Sequence, residues 1–277
     1  MAGKVMRRLV WRGLVGIVLC AGMALAPGRV AQATAFTVNS TADTDDGDCN
    51  VSNCTLREAI TAAMVGAAAD TISFSVDGTI TLGSVLPSVM PAGGALTIDG
   101  AGHTITISGN DAVRVFYVAS GASLTLQNLT LTHGHAEIHD GGGVENNGTL
   151  VVTGCTFSDN VAGYSGGGIA NSGTLTVTDT TFTNNGTDYY SGGGIYNQAG
   201  GTATITGSSF LVNRAELGGA IHNNGSLTVR DCTFGFNTAG SRGGAIANES
   251  SDPVRIEDSI LGLSKNKART APMIIKK

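Results

Sequence analysis

Residues 166–185 read Gly-Gly-Gly-Ile-Ala-Asn-Ser-Gly-Thr-Leu-Thr-Val-Thr-Asp-Thr-Thr-Phe-Thr-Asn-Asn. Leu175 and Val177 alternate with Thr174, Thr176 and Thr178. That is the two-residue period of a strand with one apolar face. A second short run carries Phe182, and Asn185 follows it by three residues. The stretch is one copy of a repeat. A Gly-Gly-x-[Ile/Val]-x-Asn unit places Val144, Ile169, Ile195, Ile221 and Ile246 about 25 residues apart, each followed two residues later by Asn146, Asn171, Asn197, Asn223 and Asn248. The inward pairs of the other units are Leu150/Val152, Ala203/Ile205, Leu227/Val229 and Val254/Ile256. Phe157, Phe182, Phe210 and Phe234 share one position, and Asn160, Asn185, Asn213 and Asn237 share the position three later. The fifth unit has Leu261 and Ser264 there instead.

Several short strands in a 25-residue period predict a solenoid in which each coil stacks on its neighbour. With parallel strands ~4.8 Å apart, equivalent side chains form columns. The phenyl rings then stack inside the coil, and each Asn amide donates to the next and accepts from the last. Leu124, Leu126, Leu129 and Leu131 match the inward positions, and Leu96, Ile98, Ile105 and Ile107 suggest earlier rungs. The expected fold is all-β, a single-stranded parallel β-helix over residues 71–264. A helical repeat is disfavoured by the alternation and by the scarcity of Ala, Leu, Glu and Lys in the units.

Composition agrees. The chain has 277 residues, 41 of them Gly, with 42% hydrophobic and 13% charged residues. That excludes a coiled coil, and the low charge with ample apolar content argues against disorder. Residues 1–33 have a basic front (Lys4, Arg7, Arg8, Arg12), an apolar run from Leu14 to Ala26 and small residues at Ala31-Gln32-Ala33. They are expected to be a signal peptide, leaving no membrane span after its removal. Five of the 16 basic residues and none of the 21 acids lie in this segment, and five more basic residues lie in 265–277. The body from 34 to 264 therefore sets six Arg against 21 acids, a net charge of −15. Such a surface repels nucleic acid and anionic lipid. The basic tail 265–277 carries no repeat and is expected to be disordered, or the remnant of a longer parent.

Residues 34–70 form a separate cap. Asp43, Asp45, Asp46 and Asp48 precede Cys49 and Cys54, and Thr55 and Glu58 have capping-box spacing. Leu56, Ala59, Ile60, Ala63 and Met64 recur on one helical face, so a short amphipathic helix is expected to cover the open end of the first coil. Glu58 caps that helix and Arg57 ties it to the first coil. In an exported chain Cys49 and Cys54 are expected to form a disulfide. Cys155 and Cys232 lie three coils apart, ~14 Å by strand spacing, too far to bridge, and are expected to be free and buried.

The segment Cys54-Thr55-Leu56-Arg57-Glu58-Ala59-Ile60 resembles the CSLREA domain of bacterial secreted and surface proteins, with Thr for Ser at 55. The Gly-Gly-Ala-Ile and Phe-x-x-Asn units are similar to the repeats of bacterial polymorphic outer-membrane proteins. These resemblances imply a right-handed β-helix of the pectin-lyase-like type.

The densest polar cluster is His133, His135, Glu137 and His139, which project to one side if the chain is extended there. This is the candidate metal set, suited to zinc; the alternative is a polar loop between coils. Asp43, Asp45, Asp46 and Asp48 admit calcium but lack EF-hand spacing, and a solvated acidic turn accounts for them better. The fold itself requires no cofactor. Arg230 and Arg255 are expected to stack on adjacent coils as the main basic patch. Thr149, Thr153, Thr174, Thr176, Thr178, Thr204, Thr206 and Thr228 line the outward face, as β-propensity alone demands. No convergent acid/base set stands out. The expected function is a monomeric, secreted or cell-surface β-helix that contacts a polysaccharide or cell-surface glycan without catalysis. The alternative is a carbohydrate-active enzyme, lyase or hydrolase, on the same fold.

Overall fold

The computed structural model describes residues 32–252, 254–263 and 267–268. Residues 1–31 of the expected signal peptide and the tail beyond 268 lie outside the described residues. The chain winds into four parallel sheets, numbered here I to IV. Sheet I has nine strands, including Ala35–Val38, Asp70–Phe74, Thr149–Thr153, Thr174–Thr178, Thr202–Thr206 and Ser226–Arg230. Sheet II has eight, among them Thr156–Ser158, Thr181–Thr183, Ser209–Leu211 and Thr233–Gly235. Sheet III has six short strands, His135–Ala136 to Lys267–Ala268, and sheet IV six, Phe116–Val118 to Ile246–Asn248. No described helix is long and apolar enough to cross a membrane.

Register follows the repeat. Leu150 faces Leu175 and Val152 faces Val177; Phe157, Phe182, Phe210 and Phe234 are paired in series. The four rings are fully buried and stack with centroids 4.9, 4.8 and 4.9 Å apart, within 12° of parallel. Two amide ladders run beside them. Each of Asn146, Asn171, Asn197 and Asn223 donates from Nδ2 to Oδ1 of the next, ending on Asn248, at 2.7–2.8 Å. Asn160, Asn185 and Asn213 do the same, ending on Asn237, at 2.9–3.0 Å. In this second ladder the Oδ1 atoms of Asn185, Asn213 and Asn237 also accept the backbone N–H of the preceding Asn, that of Asn160 accepts the Gly134 N–H, and each Nδ2 reaches a strand carbonyl, so the ladder satisfies main chain where the sheets break.

Three of the four sheet-to-sheet connections in a coil place one residue at positive φ. Between sheets I and II these are Asn128, Gly154, Asp179, Gly207, Asp231 and Asp258. The Asp column there is thus a turn preference. Between sheets III and IV they are Gly141, Gly166, Gly192, Gly218 and Gly243. A Cβ at Gly166 would lie 2.5 Å from the Ile169 carbonyl oxygen, so this corner of every coil demands glycine. Between sheets II and III stand His133, Asp159, Asn184, Val212 and Phe236. Val212 is β-branched and half exposed at φ 61°, a conformation that Asn184 holds one coil earlier without comparable strain. Val212→Asn is expected to stabilise the protein by about 1 kcal/mol, read as a higher urea midpoint; a lower midpoint would refute the strain argument.

The cap helix spans Leu56–Ala63. Thr55 and Glu58 form the capping box, and Leu56, Ala59, Ile60 and Ala63 are wholly buried against the first coil. Arg57 donates to Asp43 and to the carbonyls of Ser84 and Val85, which anchors the cap to a loop of the solenoid. Cys49 and Cys54 are disulfide-bonded, and Cys155 and Cys232 are free and buried. Burial pushes the Cys155 thiol up to about 11.

Three boundaries and pairings differ from the sequence expectation. The ladder starts before the cap helix, because Ala35–Val38 pairs with Asp70–Phe74 and buries Val38. At the other end Lys267–Ala268 pairs with Thr238 and Ala239, beyond residue 264. Backbone pairing needs no side-chain repeat, so the repeat understates the ladder at both ends. Arg230 faces and ion-pairs with Glu257, while Arg255 faces Thr228, so the two arginines do not stack. The fifth coil keeps the register of the repeat here, with Val229 facing Ile256, and that register sets Glu257 rather than Arg255 opposite Arg230.

Candidate functional site

The four candidate metal ligands do not converge. His133 sits at a corner with φ 49°, which breaks the alternation that would align it with His135. Its Nδ1 lies 2.8 Å from Thr132 Oγ1, whereas His135 Nδ1 lies 3.1 Å from the Asp111 carbonyl. Glu137 is exposed in the turn after the strand His135–Ala136, and His139 is exposed one turn further on. Among the described residues no group of three or more His, Cys, Asp or Glu is placed to hold a metal ion. The acidic cap segment is built from turns instead. Asp43 grips Arg57 and accepts the Gly83 N–H, Asp45 accepts Gly47 N–H, and Asp46 accepts Asp48 N–H and the Asn53 amide. The hydrogen bonds from Asp48 and Asn53 hold the Asp46 carboxyl below its usual range.

His139 belongs to a different arrangement. Its carbonyl accepts the Tyr164 N–H, and the Tyr190 carbonyl accepts the Glu216 N–H, so His139, Tyr164, Tyr190 and Glu216 occupy one row on successive coils. The row stands immediately before the glycine corner that opens sheet IV. Tyr164 and Tyr190 are about half exposed, with rings edge to face at 5.6 Å. A second row runs along the outward face of sheet IV: Tyr117, Glu145, Ala170, Tyr196 and His222 in register. The Tyr196 ring stacks on His222 at 5.3 Å. Between the rows lies an open cleft of about 350 Å³ lined by Asp140, Tyr164, Ser165, Tyr190, Tyr196 and Gln198.

Asp140 ties the cleft together across three coils. One carboxylate oxygen accepts the Ser165 N–H at 2.9 Å, and the other accepts the Gln198 amide at 3.1 Å. Burial raises its pKa, and the Ser165 hydrogen bond opposes that. Arg114 lies beside it, paired with Glu145 at 2.7 Å and donating to the Asp140 and Gly141 carbonyls. At the far end of the second row His222 is buried, with Nε2 3.3 Å from Glu249, which also pairs with Arg242. Burial lowers the His222 pKa. Rings that are apolar in body and polar at the edge, set around amide and carboxylate groups, suit a ligand that offers both C–H faces and hydroxyls.

Sequence reading missed this cleft. The available signal was Tyr164-Ser165-Gly166 and Tyr190-Ser191-Gly192, the same position filled by Tyr in consecutive units, whereas attention to metal-ligating residue types picked out only His139. Asp140 and Gln198 sit 58 residues apart and had no shared motif.

No curated protein sequence is significantly similar to the chain. The crystal structure of Jun a 1, the major allergen from cedar pollen, is similar with a TM-score of 0.47 and 15% identity, over 88% of this chain and 82% of that one. The profile of the family described as right-handed β-helix region matches residues 38–234 and 114–268. With strand order, register and corner geometry as described, the chain belongs to the right-handed β-helix family.

Proposed function

We propose that this protein is an exported, secreted or surface-displayed β-helix that contacts glycans through the tyrosine cleft and does not turn them over. The observation that carries the reading is the half-exposed Tyr164–Tyr190 pair above the Asp140–Gln198 hydrogen bond. Exposed rings over a polar floor match the amphipathic faces of a sugar. Both oxygens of Asp140 are engaged by neighbours, and Glu145 is held by Arg114 and Asn147, so these carboxylates maintain the shape of the cleft. Export rests on the leader at 1–33 and on the CSLREA-like cap.

A second reading, a carbohydrate-active enzyme, draws on the position of Asp140 in the lining of the cleft, where burial favours its protonated form, as a general acid requires. Affinity electrophoresis through gels containing polysaccharides tests the first reading. The full chain is expected to be retarded by at least one of them, and Tyr164→Ala with Tyr190→Ala is expected to weaken retardation by about 100-fold, roughly tenfold per ring or 1.4 kcal/mol each. Retardation unchanged in the double variant removes the cleft from the account. Release of reducing ends or unsaturated products, abolished by Asp140→Asn, would establish the second reading in its place.

A further inference from the structure

Resting on the glycan-contact reading, we infer that the ligand of the tyrosine cleft is an uncharged, linear polysaccharide lying along the solenoid axis. Direction comes from the two rows. His139, Tyr164, Tyr190 and Glu216 advance one coil at a time, as do Glu145, Ala170, Tyr196 and His222. The cleft between them therefore runs across the coils and parallel to the axis. The lining residues belong to three coils, which at the parallel-strand spacing cover ~10 Å, enough for a short run of about two sugar rings and too long for one. Ala170 keeps the floor low between the larger side chains of the second row.

Charge decides the class of sugar. A polyanionic glycan needs free cations at its binding site. Arg114, which adjoins Asp140, is committed to Glu145 and two carbonyls, and Arg242 at the other end is committed to Glu249. Arg214 on sheet III is exposed, but Glu137, Asp188 and Glu216 are exposed on the same side of the coils. What the cleft offers is two exposed phenol rings, the Tyr196 ring, the Gln198 amide and the carboxyl of Asp140. These recognise ring faces and hydroxyls. The net charge of −15 on residues 34–264 adds a long-range repulsion toward polyanions.

The test is affinity electrophoresis of the full chain at low ionic strength. The neutral probes are hydroxyethylcellulose, xyloglucan and galactomannan; the anionic ones are polygalacturonate, alginate and hyaluronate. At least one neutral polymer is expected to retard the chain tenfold or more strongly than any anionic one. Gln198→Ala and Tyr190→Ala, both at the surface of the cleft, are each expected to weaken that retardation by roughly tenfold. Oligosaccharides of the retarding polymer are expected to compete better with length up to about two rings and no better beyond. Equal or stronger retardation by a polyanion, lost on Tyr190→Ala, overturns the inference and leaves the glycan-contact reading standing. Competition as effective by a monosaccharide overturns the axial placement. No retardation by any of the six polymers removes the glycan-contact reading itself.

Discussion

Asn185→Ala is expected to destabilise the protein by about 4 kcal/mol, measured as a loss of unfolding free energy in urea, although the side chain is polar and touches no ligand. Its Oδ1 accepts the backbone N–H of Asn160 at 3.1 Å and the Asn160 amide at 2.9 Å. Its Nδ2 donates to the Phe157 carbonyl at 2.9 Å and to Asn213 at 3.0 Å. All of these groups are buried. Truncation strips the Asn160 N–H of its acceptor and takes a donor from the Phe157 carbonyl, in a place water does not reach. Each orphaned buried group costs roughly 1–3 kcal/mol. Asn185→Asp keeps the acceptor but loses both donors and buries a charge, so it is expected to be at least as damaging near neutral pH. A loss below about 1 kcal/mol for Asn185→Ala would show that the ladder decorates the coil without supporting it.

Phe182→Ala should have an effect of similar size for a different reason. Phe182 is the second of four stacked rings, with Phe157 at 4.9 Å and Phe210 at 4.8 Å. Removing a buried Phe costs about 3–5 kcal/mol, and the spread reflects how far the surroundings collapse. Here collapse is blocked: the strands above and below are held in register by backbone hydrogen bonds, so the gap between Phe157 and Phe210 persists. The expected loss is therefore near the upper end, about 4–5 kcal/mol, with Phe182→Leu recovering more than half. A loss below about 2 kcal/mol would mean that adjacent coils can close up independently of their ladder. Because Asn213 donates to the Phe182 carbonyl, Phe182 and the amide ladder are neighbours, and combining the two substitutions is not expected to be additive.

The solenoid was legible because its side chains repeat where its backbone repeats. Val144, Ile169, Ile195, Ile221 and Ile246 declare the coil length, and the stacked Phe and Asn positions follow from it. The capping box at Thr55 and Glu58 was legible because it is a local hydrogen-bond exchange over three residues. The start of sheet I at Ala35 was not, since a single four-residue strand before a helix carries no periodic signal. The histidine cluster does not converge because alternation stops at His133, whose left-handed conformation is a corner property shared with Asp159 and Asn184 and visible only once the coils are aligned. The cleft was hidden for a related reason. Tyr196 and Gln198 belong to one coil, Tyr164 and Ser165 to the one before, and Asp140 to the one before that, so only stacking brings them together.

Because Asn171, Asn197 and Asn223 each pass a hydrogen bond in one sense only, every winding receives from its predecessor the same surface that it hands to its successor. Copy number is then a free variable for evolution. Tandem duplication or excision of a whole winding changes the reach of the rod while leaving its joints intact, and windings of unequal length, 25, 28 and 24 residues between successive Asn160, Asn185, Asn213 and Asn237, pass the same bond along.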